Sequence, residues 1–368
     1  MRRYPSAFRR LLLLAATLAP IPSTAVETGV EKPGRGGDRP TLVFQAGLGD
    51  DSSTWTGLLP ALRPDFAPIT LDRAGYGDQP IIEGARRDPC AIAREQHERL
   101  AAMGLRPPYI LVGHSLGGLY QYVYARLYPE DVTGVVLIDP TAPGHWELVQ
   151  EHHPALATAL ETMLSVAAHA NMRDEFRQQT DCLETIAMDR PLDTDVRILV
   201  SGRIDSMDNE AYASALRDSR GIWKDMTGAA RLETLWDAGH YIHHERPDAV
   251  VDAIYEVAGR RAPPRSRQPD TPLPGEGSLM LRVGATPRAA IEAALGRPTE
   301  VHRDRDGSVL IYTDAKLDVP ILIGFIPVLG DVLDLAATAQ DLLKVREEWI
   351  FQFDAQGILR RHTQRAVP

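Results

Sequence analysis

Short apolar runs recur along the first two-thirds of this chain, each separated by a segment with helical spacing. Thr41 to Gln45, Pro68 to Leu71, Tyr109 to Val112, Val132 to Ile138 and Arg197 to Val200, with a last run near Leu232 to Trp236, predict strands. Val132 to Ile138 is the kind of run buried on both faces of a parallel sheet. Between the runs, Ile92, Ala93, Leu100 and Met103 fall on one face of a helix over 89–104. Further helices are predicted over Leu119 to Leu127, ended by Tyr128-Pro129, and over Ala249 to Val257. Strand alternating with helix predicts an α/β fold with a mostly parallel sheet and flanking helices.

Two regions depart from this alternation. Residues 143–192 are mostly helical in pattern, with Trp146, Leu148, Val149, Leu156, Leu160, Met163, Leu164 and Val166 as the apolar positions. Residues 260–277 form a linker rich in Pro, Arg and Gly, and a small α+β domain is predicted over 278–368. Thr286 is expected as the N-cap of a helix with Pro287 at its first position, and Gly296 ends that helix. Strands are expected at Val309 to Thr313 and Trp349 to Phe353, with a hairpin turn at Asp354-x-x-Gly357. Inside this domain, Val319 to Gly330 is free of charge but too short and too rich in proline to span a bilayer as a helix. An apolar helical stripe follows, with Val332, Leu335, Ala336, Ala339, Leu342 and Leu343. A buried hairpin and helix is the preferred reading of 319–343; contact with a membrane interface or a partner groove is the sharper one.

Composition narrows the class. With 44% apolar residues and 24% charged, 368 residues suit a soluble protein of about two domains. The four arginines of residues 1–25, Arg2, Arg3, Arg9 and Arg10, stand without a single acid. Removing them takes the formal charge from −10 to −14, which argues against nucleic acid or an anionic membrane as partner. Those arginines, the apolar core Leu11 to Leu18 and the small residues Ser23-Thr24-Ala25 read as a signal peptide cut after Ala25, and hence as a periplasmic or secreted protein. Residues 26–40 are a loose lead-in. Cys90 and Cys182 would then meet an oxidising compartment, where a disulfide and two separate buried thiols are equally compatible with the sequence.

The candidate chemistry centres on Gly113-His114-Ser115-Leu116-Gly117, directly after an apolar strand and directly before a helix. Here the chain resembles the α/β-hydrolase family, whose nucleophile sits on such a strand–turn–helix elbow. The resemblance covers about 41–258. It implies a single domain over 26–259, with 143–192 as a cap over the site. It implies Ser115 as nucleophile, Asp205 in Ser201-Gly202-Arg203-Ile204-Asp205 as acid, and His240 in Ala238-Gly239-His240 as base, in the family's chain order. Asp139 also follows a strand and is the rival acid; Asp208 is a weaker one. His243 and His244 compete with His240 but do not follow the Ala-Gly loop. Gln45-Ala46-Gly47-Leu48 stands where the family carries His-Gly-x, so the backbone N–H groups of Leu48 and Leu116 are the implied oxyanion donors. Asp72-Arg73-Ala74-Gly75-Tyr76-Gly77 matches a structural turn of the family. His145, His152, His153 and His169 lack partners at metal-ligand spacing and read as packing or solvated residues.

The resemblance implies an exported serine hydrolase acting on a carboxylic ester or related small acyl compound, with no cofactor and no metal. A serine nucleophile argues against the haloalkane dehalogenases and epoxide hydrolases of the fold, which use aspartate. Residues 279–362 resemble the small BamE/SmpA-like domain of cell-envelope proteins, through Gly-x-Thr, Leu-Gly-x-Pro and Asp-x-x-Gly turn signatures. That implies a binding or assembly role, and an alternative function in which the hydrolase domain is silent and 278–368 binds an envelope partner.

Overall fold

The computed structural model describes residues 39–186, 188, 190–202, 221–229, 231–264, 268–273, 279–303, 307–313 and 346–367. The signal-peptide expectation, Asp205, Asp208 and the 319–343 segment lie outside the described residues.

The predicted strands form one six-stranded parallel sheet. Its members are β1 (Thr41–Gln45), β2 (Ala67–Thr70), β3 (Tyr109–His114), β4 (Val132–Ile138), β5 (Asp195–Ser201) and β6 (Arg231–Leu235), in the order β2-β1-β3-β4-β5-β6. The runs are apolar throughout because both faces are covered. Val43, Leu111, Leu137 and Ile198 pack on one side with helices α1 (Pro89–Ala102) and α2 (Leu116–Leu127). Leu42, Phe44, Ile110, Val112, Val136 and Ile138 pack on the other with α6 (Pro247–Val257) and the 55–66 segment. The strand order reverses beside β1 and β3, where open sheets of this type hold ligands at their carboxyl ends.

The departure over 143–192 is a helical cap made of α3 (His145–His152), α4 (Pro154–Ala167) and α5 (Ala170–Arg177). Leu164, Ala168 and Met172 of this region pack on Tyr76, with Leu48 against the same cluster, so the cap rests on the loop after β1. A disulfide between Cys90 and Cys182 ties α1 to the end of the cap region, deciding between the two states the sequence left open. Asp88, Cys90 and Cys182 lie close enough to suggest a metal site, but the two sulfurs are bonded to each other and offer no thiolate. No helix among the described residues is long and apolar enough to cross a membrane.

The C-terminal domain is α+β. Beyond the two-residue pair β7 (Thr271–Pro272) and β8 (Met280–Leu281), helix α7 (Arg288–Leu295) precedes four strands: β9 (Glu300–Arg303), β10 (Gly307–Thr313), β11 (Arg346–Asp354) and β12 (Leu359–Val367). They form an antiparallel sheet in the order β12-β11-β10-β9. Gly296 ends α7 with φ 79°, and Gly357 N–H closes the hairpin turn on Asp354 C=O at 2.9 Å, as expected. The N-cap expectation is corrected. The cap residue is Pro287, and the Thr286 hydroxyl instead accepts from Arg282 N–H at 2.7 Å, closing the turn before the helix.

Candidate active site

Ser115 lies between the end of β3 and the start of α2 with φ 53° and ψ −125°, a conformation that costs a non-glycine residue roughly 1–3 kcal/mol. The surroundings enforce it. Ser115 N–H donates to Ile138 C=O at 3.0 Å, and Ser115 C=O accepts from Thr141 N–H at 3.0 Å and from Gly118 N–H at 2.9 Å. The two elbow glycines are required by contact: a Cβ on Gly113 would lie 2.4 Å from Gly117 O, and one on Gly117 would lie 2.3 Å from Gln45 O. The Ser115 hydroxyl lies 3.5 Å from the Thr141 hydroxyl.

The loop after β1 passes close to Ser115. A Cβ on Gly47 would stand 3.2 Å from Ser115 Cβ, so the Gly47-Leu48 backbone runs directly against the nucleophile. Leu116 opens α2, and its N–H falls in the first turn, where the helical ladder makes no use of it.

A residue the sequence assigned only to local turn structure holds this loop. Arg73 is buried; its guanidinium donates to Ala46 C=O at 2.8 Å and Gly47 C=O at 2.7 Å, and its Nε to the Glu175 carboxylate at 3.1 Å. Glu175, fully buried on cap helix α5, also accepts from Arg87 at 3.0 Å and from the Tyr76 hydroxyl at 2.9 Å. Burial penalises the Arg73 cation, but Glu175 more than compensates, so its pKa is raised and it stays charged. The cap is thus ion-paired to the loop beneath it. An arginine after Asp72 in a strand-end turn was the only available signal, and Glu175 lies far from it in sequence.

Among the described residues, the acid that meets His240 is Asp139; the expected Asp205 lies outside the described residues. His240 Nδ1 and Asp139 Oδ2 are 2.8 Å apart. Asp139 sits at φ 40° just past β4, a left-handed conformation that Asp tolerates better than most residues. Its N–H donates to Leu199 C=O at 2.7 Å and its other carboxylate oxygen accepts Ser201 N–H at 2.9 Å. That second bond fixes the carboxylate plane and leaves Oδ2 for the imidazole. The sequence carried Asp139 as the rival; β4 and β5 are adjacent, so an acid after either one ends near the same histidine loop.

Other histidines cluster near this site. His243 is buried with Nε2 2.8 Å from the Thr54 hydroxyl, and His244 Nε2 lies 2.9 Å from Thr54 C=O. His114 is fully buried, and burial drives its pKa well below the usual histidine value. It is therefore neutral, and its Nε2–H donates to His240 C=O at 3.0 Å. Its Nδ1 then carries a lone pair, 3.8 Å from Asp50 Oδ2. Asp50 was not singled out in the sequence. Burial pushes its carboxyl up to about 6, an effect that His240 partly offsets. In the cap, His145 is also pushed down, by burial first and by His240 second. His169 caps α5 by accepting Met172 N–H at 3.2 Å. A cavity of about 550 Å³ opens within the cap, walled by Trp146, Leu164, Phe176, Arg173 and Arg177.

Residues 42–253 match the alpha/beta hydrolase family, and the chain belongs to it. Among curated proteins it is similar to the uncharacterized protein YqjL of Bacillus subtilis (strain 168), with 28% identity over 227 residues, covering 61% of this chain and 85% of that protein. Among solved structures it is similar to a thermophilic esterase from Thermogutta terrifontis (20% identity, TM-score 0.45, 61% of this chain and 90% of that one). It is also similar to the epoxide hydrolase CorEH (17% identity, TM-score 0.47, 61% and 92%).

Proposed function

We propose that this protein is a serine hydrolase that cleaves a carboxylic ester or a related small acyl compound through an acyl-serine intermediate. The observation that carries the reading is a strained serine at an elbow on the same sheet edge as a histidine whose Nδ1 is held by a carboxylate. A serine hydroxyl is a poor nucleophile at neutral pH and needs a base to take its proton during attack. In this reading His240 accepts the Ser115 proton through Nε2, because Nδ1–H is committed to Asp139. Asp139 fixes that tautomer and stabilises the imidazolium. The carbonyl oxygen of the ester becomes an oxyanion, held by Leu48 N–H and Leu116 N–H, and losing one such donor typically costs about 3–4 kcal/mol. Collapse expels the alcohol, which takes the proton from His240. Water then attacks the acyl-serine with His240 again as base.

The cap cavity, with its aromatic and arginine walls, is read as the place that selects the acyl group. We also propose that the protein is exported; the Cys90–Cys182 disulfide fits an oxidising compartment. The test is hydrolysis of p-nitrophenyl esters of increasing acyl length, together with fluorophosphonate labelling of Ser115. Activity that follows acyl length and vanishes with Ser115→Ala supports the reading. Absence of both hydrolysis and labelling in the unaltered protein sinks it.

A further inference from the structure

We propose that the C-terminal domain acts as a built-in brace of the loop that carries His240, so that Arg361, Trp236 and Asp237 are positioning residues for catalysis. This rests on the serine-hydrolase reading above for its consequence, but its geometry stands apart from it.

The argument begins with the two faces of the small sheet. Side chains alternate along a strand, and the strand registers fix which residues share a face. Leu310, Trp349, Phe351 and Phe353 point to one side and pack with Ile291 of α7. The other side presents Val309, Ile311 and Ile350, with His302 opposite Val309 and Thr363 opposite Ile350. The strands' own helix does not cover this second apolar face. Trp236, the residue that follows β6, packs against its three aliphatic side chains and stacks on His302 with ring centroids 4.0 Å apart. Among the described residues this face is closed from outside the small sheet, by a residue four positions before His240.

A ring of charges stands beside that contact. Asp237 is buried, and its Oδ1 accepts Arg246 Nη1 at 2.6 Å. Its Oδ2 accepts Arg361 Nε at 3.0 Å and lies 3.5 Å from the Thr363 hydroxyl. Asp248 Oδ2 accepts from Arg361 Nη1 at 3.1 Å and Arg246 Nη2 at 3.1 Å, while Arg246 Nε donates to Asp248 Oδ1 at 2.9 Å. Asp237 lies on one stem of the histidine loop, and Arg246 and Asp248 on the other. Arg361, from β12, bonds to both stems at once. The linker adds a further grip: the Gln268 amide donates to His362 C=O at 3.1 Å and accepts His362 N–H at 3.2 Å. A buried carboxylate that needs donors from two domains makes the stem geometry depend on the small domain.

The test uses the full chain and two readouts. One is the rate constant for fluorophosphonate labelling of Ser115. The other is the low-field proton resonance of His240 Nδ1–H, identified by its absence in His240→Gln. Arg361→Gln should slow labelling by about 10- to 100-fold and shift or broaden the His240 resonance, since small misplacements of a catalytic group carry costs of this size. Arg361→Lys, which keeps the charge but not the fork, should fall between the two. A wild-type labelling rate and unchanged resonance in Arg361→Gln would overturn the brace, even if the melting temperature drops. Should Arg361→Gln fail to fold, His302→Ala decides with the same readouts: slowed labelling and an altered resonance support the brace, and wild-type values overturn it. If the unaltered protein is not labelled at all, the hydrolase reading fails, and the His240 resonance alone still decides the brace.

Discussion

The two sheets of this protein bury their faces by different means. The parallel sheet is covered on both sides by helices of its own domain, and its strands are correspondingly apolar on both faces. The antiparallel sheet covers one face with α7 and turns the other toward Trp236, just past β6. The first can carry an active site at its edge because it is complete without help. The second is a separate sheet by topology but borrows part of its burial from its neighbour.

The predictions test this contrast in descending size. Ser115→Ala should lower kcat by about ten-thousand-fold or more, measured on the ester chain-length series. It touches only the edge of the self-sufficient sheet, and alanine keeps the same Cβ and backbone conformation, so the melting temperature should hold. Asp139→Asn should cost about 10³- to 10⁴-fold in kcat, since an amide favours the wrong histidine tautomer. Asp205→Asn should cost far less, and a larger loss from Asp205→Asn would overturn the assignment of the acid. Phe351→Ala, on the α7-facing side, should destabilise the small domain by about 3–5 kcal/mol in a urea melt. If that loss also slows Ser115 labelling, as the brace requires, the contrast stands; if labelling is untouched, the small sheet is independent and the contrast breaks.

The smallest effect concerns Asp50, whose carboxyl is pushed up to about 6. A folded pKa above the unfolded value means the native state binds the proton more tightly. The associated stability is therefore full below about pH 4 and is lost as pH rises through about 6. Asp50→Asn should remove that loss. The variant should gain on the order of 2 kcal/mol relative to the unaltered protein at pH 8, with its pH 4–8 stability profile flattened. An unchanged profile in chemical denaturation would show that the carboxyl is not buried as described.

Much of this was legible in the chain. The strand positions follow from apolar runs that both faces of a parallel sheet demand, and Ser115 follows from a glycine-flanked elbow between a strand and a helix. His240 follows from its place after the last strand. The acid was not decided, because Asp139 and Asp205 each end a strand and adjacent strands in a parallel sheet converge on one loop. The hydrogen bond to His240 Nδ1 favours Asp139, and Asp205 lies outside the described residues. Thr286 was misplaced as a cap because its hydroxyl closes the preceding turn.

What the sequence determined by itself is therefore local and periodic: strand, helix, elbow and turn, set by sterics and by the spacing of apolar side chains. What only the tertiary structure decided is the pairing of groups distant in the chain. Glu175 of the cap meets Arg73 beneath it, Cys182 meets Cys90, Asp139 meets His240, and Arg361 meets Asp237. A charge reads the same on an exposed face as in a buried ring, and only the fold, by removing water and setting distance, gives it a partner.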